Sequence, residues 1–289
     1  MKIKKISKIT GGQDGAIYNN FLFRFADDGE AFVYDLRELH GNYTEIQELT
    51  AVSSFYLDRR NILNPHNNSV SFGNRFYCPE DEFPLLYTNI YNNYADKKKT
   101  LTGVCCVYRI QRENNIFSST LIQVLEIGFV DDETYWKSPG GDVRPYGNFV
   151  ADAENGRLYV FTMRDASHTN EYFSFELPDC FLGNDNEVYG AKHIILDTKD
   201  IKEHFSCEYH HYIQGACFYN GKLYSLEGFS DDEDNQPALR IIDVKAKKQE
   251  FYKNLRELGM NSEPEFIDFD DDVCYYADNP GNLYVIDFQ

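Results

Sequence analysis

An all-β chain built from five copies of one small antiparallel sheet is the fold class this sequence predicts, and three observations predict it. Aromatic residues make up 16% of the 289 positions, with 22 Tyr and 22 Phe against a single Trp, and such side chains favour strands because they pack on a pleated, half-buried surface. Short apolar runs recur with turn formers between them, at 27–29 (DDG), 154–156 (ENG) and Asn220-Gly221, which is the signature of hairpins. Groups of several short strands recur five times along the chain, the pattern of radially repeated sheets, whose signature is a period of roughly 40 to 50 residues.

The unit is clearest at 213–243, where IQGACFYNGKLYSLEGF is followed by an acidic loop and ALRIID. It holds a strand, an Asn-Gly turn, a second strand opening on Leu-Tyr, a break and a third strand closing on Asp, and 249–252 completes it. The first unit reads 14–18, 21–26, 31–36 and 43–49. The second reads 68–72, 85–91, 104–111 and 120–127, its loops carrying PEDEFP and the run Lys97, Lys98, Lys99. The third reads 147–152, 157–164, 172–177 and 193–196. The fifth reads 265–269, 273–277 and 283–288 and stops one strand short. Segment 2–9, in which Ile3, Ile6 and Ile9 are spaced among lysines, suits an edge strand and supplies the missing one, so that the ring closes. Helix is expected only at 199–205 and 255–259. No low-complexity linker divides the chain, so one domain spanning 1–289 is expected.

The pattern resembles the five-bladed β-propellers at the level of architecture: four strands to a blade around a central channel, with the last blade closed by the N-terminal strand. The resemblance rests on the hairpin turns and on the Leu-Tyr pairs that begin at Leu86, Leu158, Leu223 and Leu283, and no motif names a single family. A two-sheet sandwich or a pair of small β domains is the competing arrangement.

Charge and motifs narrow the function. With 28 Lys and Arg against 47 Asp and Glu, the formal charge is −19, and such a surface repels the phosphate backbone whose counterion release drives nucleic-acid affinity. The basic N-terminus MKIKKISKIT lacks the apolar run of a signal peptide or a membrane span, so no membrane partner and a cytoplasmic location are expected unless a leader has been removed. Seven cysteines at irregular spacing fit reduced thiols acting as small core hydrophobes. No P-loop, GxGxxG, HExxH or GxSxG motif is present.

In a ring of blades, the strand nearest the axis begins at the rim of the channel, and its first side chains converge there. Those positions are Gln13 and Asp14; His66, Asn67 and Asn68; Arg144, Tyr146 and Asn148; His211 and Gln214; Glu263 and Glu265. Convergent polar groups in a concavity mark a ligand site, and a small polar molecule, a sugar or an anion, is the expected partner. Arg144 would give a carboxylate or phosphate its planar donor fork.

A hydrolase using Asp14, Glu265 and His66 is the alternative. The resemblance bears on it, because five-bladed propellers include sugar-cleaving enzymes with three acidic residues at the axis. This chain departs from that pattern by carrying Asn148 and Gln214, amides that can act neither as acid nor as nucleophile. No motif asks for a cofactor, although Asp14, His66, Asn68, His211 and Glu265 mix imidazole with oxygen donors that could hold a divalent cation in the channel. The run HFSCEYHH, with His204, Cys207, His210 and His211, matches no zinc spacing and reads as a loop. Trp136 is either a stacking platform or a lid, and Gly140-Gly141 a connection between blades. The acidic runs at 231–234 and 270–272 are expected to face solvent. A scaffold offering one face to a protein partner is the third function class.

Overall fold

Hairpins close where the chain carries residues that tolerate a left-handed backbone. Asn220 and Gly221 have φ of 49° and 76°, and Gly29 and Gly156 have φ of 83° and 64°, conformations that cost Gly little and Asn less than most residues. The computed structural model describes residues 1–39, 43, 45–58, 66–90, 103–129, 143–164, 170–207, 212–228 and 236–289, with the backbone alone at 143–146 and 162–164.

The chain opens with β1 (Lys2–Lys8), then forms β2 (Gly15–Tyr18), β3 (Phe21–Phe25), β4 (Glu30–Asp35) and β5 (Ser53–Tyr56). It continues with β6 (Val70–Phe72), β7 (Leu86–Asn89), β8 (Val104–Glu113) and β9 (Ile116–Ile127), and then β10 (Val143–Asp152), β11 (Arg157–Arg164) and β12 (Asn170–Glu176). A connection carrying β13 (Asn184–Asn186) and β14 (Ala191–Leu196) leads to β15 (Glu203–Cys207). The last strands are β16 (Ile213–Tyr219), β17 (Lys222–Glu227), β18 (Ala238–Asp243), β19 (Lys248–Asn254), β20 (Pro264–Asp270), β21 (Val273–Asp278) and β22 (Asn282–Asp287).

These strands form five sheets, each running from inner to outer strand: β2-β3-β4-β5, β6-β7-β8-β9, β10-β11-β12-β15, β16-β17-β18-β19 and β20-β21-β22-β1. The inner strands make a closed circuit, since β2 touches β6 and β20, β10 touches β6 and β16, and β16 touches β20. The fold is a five-bladed propeller. As predicted, β1 closes the last blade, pairing antiparallel with β22 from Lys2↔Asp287 to Lys8↔Asn282.

Both faces of a blade are covered by its neighbours, which explains the uninterrupted apolar strands. Five buried clusters lie one at each blade-to-blade contact. Between blades one and two the core is a block of rings, with Phe23 5.3 Å from Phe72 and 5.6 Å from Phe117 in edge-on packing, a geometry that adds to plain burial. All seven cysteines are free thiols, and six of them are buried.

The outer strands correct the sequence reading in three places. The fourth strand of blade one is β5 and not 43–49. That segment lies against β1, where the Gln47 N–H donates to the Ile6 carbonyl at 2.7 Å, and Leu49 is buried between the first and last blades. Residues 193–196 belong to β14, which joins the outer edge of blade two in parallel with β9, Lys192↔Gln123 to Leu196↔Ile127, and β13 extends that sheet further. The fourth strand of blade three is instead β15, which overlaps the expected helix 199–205; of that helix only a 3-10 turn at Thr198–Asp200 forms. The second expected helix is a 3-10 turn at Leu255–Leu258. Among the described residues, no helix is long and apolar enough to cross a membrane.

Candidate functional site

The starts of the inner strands meet at the axis and pack tightly there. Asp14, Asn67, Asn68, Asn148 and Glu265 are at most 1% exposed and Gln214 is 7% exposed, so they form a buried polar core at the axis. Glu263, His66 and Gln13 lie beside it, half-buried. The side chains of Arg144 and Tyr146 lie outside the described residues, as do His211, Trp136, His210, Gly140-Gly141 and 231–234.

Asp14 holds the centre. Its N–H donates to the Asn67 carbonyl at 3.0 Å, and its Oδ2 accepts the Val70 N–H at 2.9 Å and the Ala216 N–H at 3.5 Å. One carboxyl thereby ties blades one, two and four together across the axis. This is sterically feasible because position 215 is glycine: a Cβ there would sit 2.3 Å from the Glu265 carbonyl oxygen and 3.1 Å from Asp14 Oδ1. Asn67 has a left-handed φ of 59° and stitches blades one and two, with its Nδ2 donating to the Ala26 carbonyl and its Oδ1 accepting from Thr88 Oγ1. Asn89 Nδ2 donates to Asn68 Oδ1 at 2.5 Å and also to the Gly147 carbonyl, which reaches blade three. Gln214 Nε2 donates to Glu263 Oε1 at 2.8 Å, and Asn279 Nδ2 donates to Glu265 Oε1 at 2.9 Å.

The sequence positions did not include all of this core. Arg24 and Asn89 sit on the second strand of their blades and reach inward, and Asn279 directly follows the second strand of the last blade. Arg24 is fully buried and its Nη2 donates to the carbonyls of Gly12 and Asp278, at 2.6 and 3.1 Å. The signal was a lone Arg within FLFRF, since a charge in an apolar strand buried on both faces needs a partner.

Several atoms of the core make no hydrogen bond: Asp14 Oδ1, Glu265 Oε2, Asn89 Oδ1, both amide atoms of Asn148, and Arg24 Nε and Nη1. Leaving a buried polar group unpaired costs about 1–3 kcal/mol, so such a concentration calls for an explanation in water, ion or ligand. Burial pushes the Asp14 carboxyl well up, only partly offset by the Val70 and Gly15 amides and by Arg24. Burial likewise raises Glu265, and Glu263 adds to the rise, while burial lowers Arg24 against the pull of Glu265, Asp14 and Asp278. Among the described residues no group of three or more His, Cys, Asp or Glu could hold a metal ion. Of the candidate ligands in HFSCEYHH, His204 and Cys207 are described; both sit on β15 and are engaged separately, His204 Nε2 with Glu171 at 2.7 Å and Cys207 Sγ with the Lys247 carbonyl.

The raised carboxyls set a pH dependence. A carboxyl whose folded pKa lies above its unfolded value binds more protons in the native state, so stability is highest below the unfolded value and falls as pH rises toward the folded one. Asp14 and Glu265 act in this direction, as does Asp268, pushed up to about 7 chiefly by burial. Asp35, lowered mainly by its hydrogen bond with Arg37, acts only below its usual value of 3.8. The expected result is a melting temperature about 5 °C or more higher at pH 5 than at pH 8, given roughly 2–4 °C per kcal/mol in domains somewhat smaller than this one. A flat or rising profile over that range would contradict the burial of these groups.

No known protein-family profile and no curated protein sequence matches the chain. Among solved structures, a glutaminyl cyclase from Myxococcus xanthus aligns over 99% of this chain and 96% of its own, at 10% identity and a TM-score of 0.47. The computationally designed protein Ika8 aligns over 98% of this chain and 99% of its own, at 10% identity and a TM-score of 0.35. Neither likeness bears on activity.

Proposed function

We propose that this chain is a binding propeller that takes a small polar ligand at the start of its inner strands, with Asp14, Asn148 and Glu265 as the contacting groups and Arg24 and Asn89 behind them. The observation that carries the reading is the set of unpaired buried atoms. Free acceptors on Asp14, Glu265, Asn89 and Asn148 stand with free donors on Asn148 and Arg24, and a hydroxyl can both donate and accept. That mixture favours a polyol or sugar over an anion, because two carboxyls border the site. Asn67, Asn68 and Gln214 have their own protein partners and serve to hold the contacting groups in place. Glu263 orients Gln214.

Binding is favoured over hydrolysis by the electrostatics. Two-carboxylate chemistry needs the environments to push the pair apart, one acid held neutral and one ionised. Here burial drives Asp14 and Glu265 the same way, upward.

The test is a thermal-shift and calorimetric panel of monosaccharides and sugar alcohols, with inorganic phosphate and acetate as anions, on wild type and Asn148→Leu. A ligand at about 100 times its Kd stabilises by about 2.7 kcal/mol. At least one polyol is expected to raise the wild-type melting temperature by about 5 °C, with no shift from either anion. Asn148→Leu removes two unpaired buried atoms, so it is expected to melt no lower than wild type while losing the shift. A panel with no polyol response, or a response that survives in Asn148→Leu, would overturn the assignment.

A further inference from the structure

The axis has a second end, and it is chemically unlike the first. Past the last residues of the inner strands lies a recess of about 150 Å³ to which all five blades contribute. That is the space of about five water molecules at their liquid volume, enough for a compact head group of a few heavy atoms. Tyr18, Phe72, Phe218, Tyr219 and Phe269 line it together with the carboxyl of Asp268, and the twelve lining residues include no Lys, Arg or His.

The rings are held before any ligand arrives. Tyr219 stacks on Phe269 at 4.0 Å and 6°, Phe218 stacks on Tyr159 at 5.7 Å, and Tyr18 packs against Phe72 at 5.6 Å. The Tyr219 hydroxyl donates to Asp272 at 2.7 Å. Asp268 is fixed as well, its Oδ2 accepting the Ile17 N–H at 2.6 Å and its Oδ1 the Phe269 N–H at 2.9 Å. The recess therefore presents aromatic surface and one immobilised carboxyl, with the hydroxyl of Tyr219 already engaged.

A polyol would meet a wall made largely of aromatic rings, and a neutral hydrocarbon would leave the carboxyl facing an apolar group without a counter-charge. A cation clothed in methyl groups meets both demands, because aromatic rings attract it electrostatically and its carbons tolerate an apolar wall. We infer that this recess binds a compact organic cation, an N-methylated ammonium head group, with Asp268 as the counter-charge and Tyr18, Phe72, Phe218, Tyr219 and Phe269 as the wall. The site is separate from the polyol site at the other end of the axis.

The groups that bear electrically on Asp268 are the Ile17 and Phe269 amides, Asp270 on its own strand, Asp14 from blade one, Cys217 from blade four and Cys274 on β21. None of these is cationic. With the carboxyl pushed up to about 7, only a minority of empty sites is ionised at pH 6 and most are at pH 8. Affinity for a cation is thus expected to rise about tenfold between those pH values.

The experiment titrates choline chloride and its uncharged carbon isostere, 3,3-dimethylbutan-1-ol, into the full chain by calorimetry and by chemical-shift mapping. Choline is expected to bind saturably and at least tenfold more tightly than the alcohol, with the tenfold pH rise, and Asp268→Asn should remove that preference. Equal affinity for the two compounds, absence of saturable choline binding up to tens of millimolar, or a pH-independent affinity would overturn the inference. Should Asp268→Asn fail to fold, the wild-type isostere comparison and the pH series decide the matter between them.

Discussion

Removal of residues 1–9 is expected to lower the melting temperature by about 10 °C or more, or to abolish cooperative unfolding. The deleted stretch takes with it the whole of β1, the outer strand of the last blade. Ile6 and Ile9, 0% and 5% exposed, would each forfeit about 1.5–3 kcal/mol of burial. The Ile9 N–H bond to the Gly281 carbonyl at 2.8 Å is also lost, and β22 becomes a bare edge open to pairing with other chains. Against a total stability of about 5–15 kcal/mol, such a loss is severe. A synthetic peptide of the same nine residues, added in trans, should restore much of the stability by pairing with β22, since strand addition uses the same ladder. An unchanged melting temperature in the truncated chain would show that the ring does not depend on this strand.

The inner parts of each blade could be read from the sequence because two constraints coincide there. Turns such as Asn220-Gly221 demand residues that accept a positive φ, and strands such as β3 and β17, covered on both faces, demand apolar runs. The outer strands obey neither constraint strongly. β15 reads EHFSC with exposed Glu203, His204 and Ser206, a weak pattern beside AKHIIL of β14. Yet β14 is apolar because Ile194 and Leu196 pack at the contact of blades two and three, and hydrophobicity reports burial without naming the pairing partner. The Leu-Tyr pairs mislead in the same way: those at Leu86, Leu158 and Leu223 lie on second strands, whereas Leu283 lies on the third strand of its blade.

The site divides along a similar line. The axial placement of Asp14, Asn148, Gln214 and Glu265 was legible because polar residues at the head of an apolar strand have few explanations once a ring is assumed. Their burial was not legible, since it depends on how closely β6 and β16 approach across the axis. The recess at the far end was missed because its rings read as core and Asp268, inside PEFIDFD, reads as the polar half of an alternating strand. Only the convergence of five strand ends turns those residues into a wall.

Glu227→Leu is expected to cost about 3–5 kcal/mol, and Arg240→Met a similar amount, while the double substitution recovers most of the loss. Glu227 on β17 and Arg240 on β18 are both fully buried, joined by Arg240 Nε to Oε1 at 2.5 Å and Nη2 to Oε2 at 3.2 Å. Arg240 also donates to Gln249 Oε1 and lies 4.8 Å from the centre of the Tyr252 ring. Removing one partner strands the other charge away from water, whereas replacing both with apolar groups removes the desolvation cost along with the attraction. The pair therefore constrains geometry more than it adds stability. It sits beside Gly228, whose N–H donates to the Tyr212 carbonyl at 2.8 Å and whose carbonyl accepts from Gln214 Nε2 at 3.5 Å, one step from the axial core. Urea denaturation of the four-member cycle measures the coupling, and additive losses would rule out this account. A double variant that folds as well as wild type yet binds the axial ligand more weakly would place the role of the pair in aligning Gln214.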